Sequence, residues 1–222
     1  MAIVTHHALL LRELRFAAPA RVKVWKGAAT LKSGGVAIGL REGESFTVPP
    51  FVRFSCFAHP RLAPGQARPA VWSLALEAHA SPEMERAADA SKPWTRKLAA
   101  AIFGEPATDW RAARVAGMWQ VTPARLRALL FAEGESLRAL VREQRVARAL
   151  AQLARIDGSG GGFADAGFAS AAAMAQACQD VIGLPPEIAQ RAIALLSPAP
   201  LRQPAAERHG AALRHPRYRP YF

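Results

Sequence analysis

Two incompatible periodicities share this chain, and that division constrains its fold more than any other feature. Over about the first 75 residues apolar side chains alternate with polar ones. From Ser81 onward they recur every three or four positions. One regular element cannot satisfy both periods, so the chain reads as α+β, with a β-rich N-terminal part followed by a helical one. "RVKVWKG" alternates Val22 and Val24, "GGVAIGL" follows a Gly-Gly turn, and "SFTVPPFVRFSCF" sets Phe46, Val48, Phe51, Phe54 and Phe57 around a Pro-Pro break. These strands predict a small sheet or barrel over residues 1–80. "HPRLAPGQARP" reads as a loop, and "AVWSLALEAHA" fits either a last strand or the start of a helix. Residues 81–91 read as a linker, 92–196 as an all-α domain, and 197–222 as a disordered basic, Pro-rich tail.

The chain has 222 residues, of which 51% are hydrophobic, enough to bury a substantial core. No apolar run approaches the roughly 18 residues of a membrane span. "ALLL" is interrupted by Arg12 and Glu13, which argues against a signal peptide and for a cytoplasmic location without membrane contact. Cys56 and Cys178 lie far apart, outside any CxxC or His spacing, and read as free, buried thiols. His6 and His7 lack a third ligand, and His59 precedes Pro60 as a loop residue. "GSGGG" follows no strand and leads to no Lys-Ser/Thr, so it reads as a linker instead of a phosphate cradle. No residues form a nucleophilic set. The expectation is a protein that is not an enzyme and uses no cofactor or metal.

The formal net charge is +12, which points to a polyanionic partner. Residues 1–91 carry 11 basic and 7 acidic side chains, residues 92–196 carry 13 and 9, and residues 197–222 carry 5 and 1. Each part is therefore net +4, and bulk charge does not locate the binding surface. Helix faces have to.

In "KPWTRKLAAAIF", Trp94, Leu98 and Ile102 recur at helical spacing before Gly104. A second helix is predicted from Thr108 or Asp109, with Trp110, Ala113 and Ala116 inward. "VTPARLRALLFAEGESL" then offers Thr122 as N-cap, Pro123 in the first turn and Gly134 as a stop. Leu126, Leu129 and Leu130 fall on one side, with Ala124 and Ala128 opposite, flanked by Arg125 and Arg127. Two helices joined by about four residues, the second presenting a small and basic face, make a helix-turn-helix candidate. Ser136 caps the longest helix, where Leu137, Leu140, Ala147 and Ala151 give a packed side and Arg138, Arg142 and Arg145 a basic stripe, solvent-facing or paired with acids such as Glu143.

These residues resemble the AraC/XylS family of transcription regulators over roughly residues 92–190. The likeness rests on Ala116, Val121, Thr122, Pro123, Leu126, Arg127, Glu133, Gly134 and Ser136 in a first unit. It continues through Arg145, Ala149 and Leu153 to Gly167, Phe168, Ser170, Gly183 and Pro186 in a second. The resemblance implies two helix-turn-helix units joined by a long helix, behind a shortened cupin-like domain. Two departures stand out. An Ile-Ala pair that usually opens the second unit is replaced by Gly162 and Phe163 within a glycine run, and glycine costs a helix interior about 1 kcal/mol per residue, so that helix is expected to be weak or shortened. No Arg or Lys lies between Arg155 and Arg191.

The implied function is sequence-specific binding of double-stranded promoter DNA, mainly through Thr122, Ala124, Arg125, Arg127 and Ala128. Arg138 and Arg142 on the linker helix and Ser170 and Gln176 in the second unit play lesser parts. Arg145, at a position where the family keeps an arginine, has a structural role on this reading. RNA polymerase is the implied protein partner of an activator. The N-terminal domain leaves room for a small-molecule or protein co-regulator and for a homodimer contact. The alternative is a co-regulator that works through protein contacts with vestigial DNA binding. A cupin-type enzyme is disfavoured, because the histidine and glutamate ligand set is missing.

Overall fold

The computed structural model describes residues 2–5, 8–59, 61–63, 66–77, 84, 92–153 and 162–184. The linker apart from Met84, the serine-glycine run apart from Gly162, Pro186 and the basic tail lie outside the described residues. Ten strands are found among those that are described. They are β1 (Ala2–Thr5), β2 (Leu9–Leu14), β3 (Ala20–Lys26), β4 (Ala28–Ser33), β5 (Val36–Arg41), β6 (Ser45–Val48), β7 (Phe54–His59), β8 (Arg61–Ala63), β9 (Gln66–Arg68) and β10 (Ala70–Leu76).

The alternation read from the sequence is the alternation of the pleat. Val22 and Val24 of β3, Ala29 and Leu31 of β4, and Trp72 and Leu74 of β10 are buried, and their neighbours along each strand point outward. One sheet has the order β1-β10-β3-β6 and the second β2-β7-β4-β5, with every pairing antiparallel. Their inner faces close on Leu11, Leu14, Phe16, Val48, Phe54 and Cys56. The ambiguous stretch at Ala70 is thus a strand in the centre of the first sheet. The segment expected to be a loop at residues 59–69 contains a short ribbon, β8 paired with β9 from Arg61 opposite Arg68. Three-residue strands are too short for a periodicity to show. Phe57 is only half-buried, because Cys56 takes the inward position of β7.

Among the described residues from 92 onward five helices follow: α1 (Pro93–Gly104), α2 (Ala112–Met118), α3 (Pro123–Ala132), α4 (Leu137–Leu153) and α5 (Ala171–Ile182). Two predicted details change. α2 starts at Ala112, not at Thr108 or Asp109, because Arg111 is extended and its side chain turns back to Asp109. Trp110 is buried ahead of the helix with its Nε1 donating to the Glu105 carbonyl at 3.0 Å, and Val115, not Ala113, faces inward.

Residues 163–167 form turns, not a helix, as a glycine-weakened segment should. Gly167 adopts φ +80 there, and a Cβ on it would lie 2.2 Å from the Pro106 carbonyl oxygen. The side chain of Arg145 occupies the same corner, donating from Nε to Pro106 O at 2.9 Å and from Nη2 to Thr108 O at 3.3 Å. It is a structural clasp and not part of an exposed stripe.

The apolar interior falls into two clusters. Leu98, Ile102, Trp110, Val115, Ala116, Leu126, Leu130 and Leu140 hold α1, α2, α3 and the start of α4 together. The strands share the other cluster with Val146, Ala147, Ala149 and Leu150 of α4 and with Met174, Ala175, Cys178 and Ile182 of α5. The β-rich part and α5 therefore pack on one another.

Gly167→Ala should lower the unfolding free energy by about 2–4 kcal/mol in urea titration, combining left-handed strain with overpacking. Both cysteines are free and buried, and burial pushes each thiol up to about 12. In native protein at about pH 8, neither should react with an aromatic disulfide reagent, and both should react after unfolding. A thiol that keeps its proton longer when folded contributes stability that is full below the unfolded value of about 8.5. That contribution is lost as pH rises from there toward the folded value.

Candidate nucleic-acid interface

The turn between α2 and α3 spans residues 119–122 and is set by backbone hydrogen bonds. Gln120 takes a left-handed φ of 54, its N–H donates to Gly117 O at 3.2 Å, and the Val121 N–H donates to Ala116 O at 3.0 Å. This pair of bonds closes the end of α2 and lets Val121 pack on the first-unit core. Thr122 is extended, and its Oγ1 accepts from the Arg125 N–H at 3.1 Å. Pro123 follows in the first turn, so the start of α3 is fixed both by the cap and by a pre-set φ. At the far end Gly134, with φ +74, repeats the same closure through Gly134 N to Phe131 O and Glu135 N to Leu130 O.

Leu126 and Leu130 are buried beneath α3, while Ala124, Arg125, Arg127 and Ala128 are exposed. Neither arginine forms an ion pair with a described residue. The helix thus presents two unpaired guanidinium groups beside two methyls. Phe131 joins them, 82% exposed and one turn beyond Ala128 and Arg127. Sequence reading passed over it, although its spacing from Ala124 and Ala128 was the available signal.

The remaining predicted site residues separate. Arg138 is exposed on α4 without an ion-pair partner among the described residues. Arg142 instead pairs with Asp180 of α5, and Gln176 Nε2 donates to the same carboxylate at 2.8 Å. Ser170 uses its hydroxyl as the N-cap of α5, accepting from the Ala173 N–H at 3.1 Å. Asp180 therefore ties down two of the groups read as DNA contacts, and the described part of the second unit offers no cation of its own.

Glu143, expected to pair within the stripe of α4, reaches elsewhere. It takes two hydrogen bonds from Arg15, one of them from Nη2 at 2.9 Å, and one from Arg53 Nη2 at 2.9 Å. Glu135, just past α3, accepts from Arg15 Nη1 at 2.9 Å and from Arg53 Nη2 at 3.1 Å. Arg15 is only 5% exposed, and the network is closed by Gln144, which donates to Arg15 O at 3.3 Å. Burial alone would weaken the hold of Arg15 on its proton, but Glu143 and then Glu135 outweigh it and raise its pKa. Glu133 completes the group by accepting from the Trp94 and Thr95 N–H groups at 3.1 and 2.7 Å, which caps α1 from the end of α3. Nothing in the sequence marked Arg15 or Arg53 for this role.

No protein-family profile and no curated protein sequence matches the chain. Among solved structures, ToxT from Vibrio cholerae aligns with TM-score 0.54 at 12% identity over 86% of this chain and 96% of its own. Wild-type ToxT of V. cholerae strain SCE256 with unsaturated fatty acid bound aligns with TM-score 0.53 at 11% identity, over 86% and 93%. A DNA-binding transcriptional dual regulator from Escherichia coli K-12 aligns at 23% identity over 44% of this chain and 95% of its own, with a TM-score of 0.39. At such identities the likeness to ToxT is one of fold, and it covers the β-rich part and the helices in one alignment.

Arg15→Met should leave two largely buried carboxylates short of their main partner and cost about 3 kcal/mol of stability by denaturant titration. Adding Glu143→Leu to the same protein should recover part of that loss, because it removes a charge no longer compensated.

Proposed function

We propose that the chain is a bacterial transcription regulator of the AraC/XylS type that binds promoter DNA mainly through the first helix-turn-helix. The observation that carries this reading is the outer face of α3, where Arg125 and Arg127 stand exposed and unpaired among the described residues beside Ala124 and Ala128. In a major groove such a helix places guanidinium donors at guanine edges or phosphates and methyl groups against thymine methyls. Arg138, exposed one helix later, supplies a further phosphate contact. The second unit adds little, since Asp180 occupies Arg142 and Gln176 and Ser170 is engaged as a cap.

On this reading the protein acts as an activator in the cytoplasm, contacting RNA polymerase at the promoter. Its β-rich part receives a small-molecule or protein co-regulator and supplies any homodimer contact. The fatty-acid complex of ToxT, whose fold aligns with this chain, supports a ligand-receiving role. The tie-up of the second unit by Asp180 favours one rival, a co-regulator that works through protein contacts and has lost most of its DNA affinity.

Binding to promoter fragments across a salt series separates the two. Arg125→Ala and Arg127→Ala are expected to weaken specific binding by about 1–3 kcal/mol each with the fold intact, and to flatten the salt dependence wherever a phosphate contact is lost. Gln176→Ala should cost less than either. Unchanged affinity in both arginine variants would overturn the assignment in favour of the rival.

A further inference from the structure

A cavity of about 280 Å³ lies where the β-rich part meets the first turn of α1. Phe51 and Val52 form an apolar wall, and Arg53, Lys92, Thr95 and Arg96 supply polar groups beside Arg15, already held by Glu135 and Glu143, and Ser33, whose hydroxyl donates to Arg53 O. No acidic side chain lines it among the described residues. The charge of Arg53 is already matched by Glu135 and Glu143, but Lys92 and Arg96 have no carboxylate partner among the described residues. The guanidinium of Arg96 sits 5.0 Å from the centroid of the Phe51 ring, which steadies it and leaves its N–H edge available. Thr95 is 2% exposed, and its hydroxyl oxygen has no hydrogen-bond partner among the described residues. The N–H groups of Trp94 and Thr95 are already satisfied by Glu133, so the free end of the helix is not what the cavity offers. What remains is one buried hydroxyl, one ammonium and one guanidinium around a small space with an apolar side.

We propose that this cavity is a binding site for the phosphoryl group of a small phosphorylated molecule, whose apolar part lies against Phe51 and Val52. A buried hydroxyl left without a partner is costly and is normally paired, so its presence beside two unmatched cations points to an anionic acceptor. Three donors on three different side chains suit a group with three terminal oxygens. A carboxylate brings one negative charge to the two unmatched cations, whereas a phosphoryl group brings about −1.5 to −2 at neutral pH. The site is independent of the DNA-binding reading, and its test needs no DNA.

Full-length protein is titrated calorimetrically with inorganic phosphate and, separately, with acetate, at ionic strength matched with chloride. Phosphate should bind saturably at one site and more tightly than acetate. Thr95→Val and Arg96→Ala should each weaken it about tenfold, the loss of one charge-assisted hydrogen bond, whereas Thr95→Ser should retain it. Lys92→Ala, at a partly exposed position before α1, gives the same readout even where Thr95→Val perturbs folding. The pair Arg125→Ala and Arg127→Ala should leave phosphate affinity unchanged. Absence of saturable binding, tighter binding of acetate, or a loss that follows Arg125 and Arg127 instead of Lys92 and Arg96 would each overturn the proposal.

Discussion

Two arginines from the β-rich part and two glutamates from the helical part form the contact on which the arrangement of this molecule depends. Arg15 and Arg53 reach across to Glu135 and Glu143, and Arg15 and both carboxylates are withdrawn from water while Arg53 covers them from the exposed side. Such a cluster gains from low dielectric only when every member is paired, and here each carboxylate accepts from both guanidinium groups. Its location gives it reach. Glu135 follows directly on the closing turn of α3, and Glu133 in that same turn holds the start of α1. The orientation of the exposed helix is thus set at its C-terminal end by groups that lie outside the helix-turn-helix itself.

A division of labour between the two helical units follows from charge and packing. α3 rests on a core of its own unit, and its outer arginines have no ion-pair partner among the described residues. α5 contributes Met174, Ala175, Cys178 and Ile182 to the core shared with the strands, and what it leaves outside is organised around Asp180. A helix can serve as a packing surface for one domain and as a reading surface for a polyanion only if its outer face carries the right sign. In α5 that face carries a carboxylate, in α3 two arginines without an ion-pair partner among the described residues.

Much of this was legible in the sequence, for reasons that are local. Thr122, Pro123 and Gly134 fix the limits of α3 through backbone geometry, and Leu126 and Leu130 declare its inner face by spacing. The alternation of Val22 and Val24 likewise announces a strand buried on one side. What could not be read depends on residues distant in the chain. The partner of Arg142 lies on α5 and not on its own helix, and the partner of Arg15 is more than a hundred residues away. Trp110 misled the placement of α2 because a buried tryptophan suggests a helix face, whereas here its ring is held by a carbonyl in the preceding turn. The β8–β9 ribbon was invisible because three residues show no period.

The two apolar clusters meet along α4. Leu140, near its start, belongs to the cluster beneath α3, and Val146, Ala147, Ala149 and Leu150 belong to the one shared with the strands. This single rod is a common axle for both halves of the molecule. A change in its bend or roll, whatever provokes it, is felt at once in the tilt of the exposed arginine face and in the seating of the sandwich, because no flexible joint separates residue 140 from residue 150.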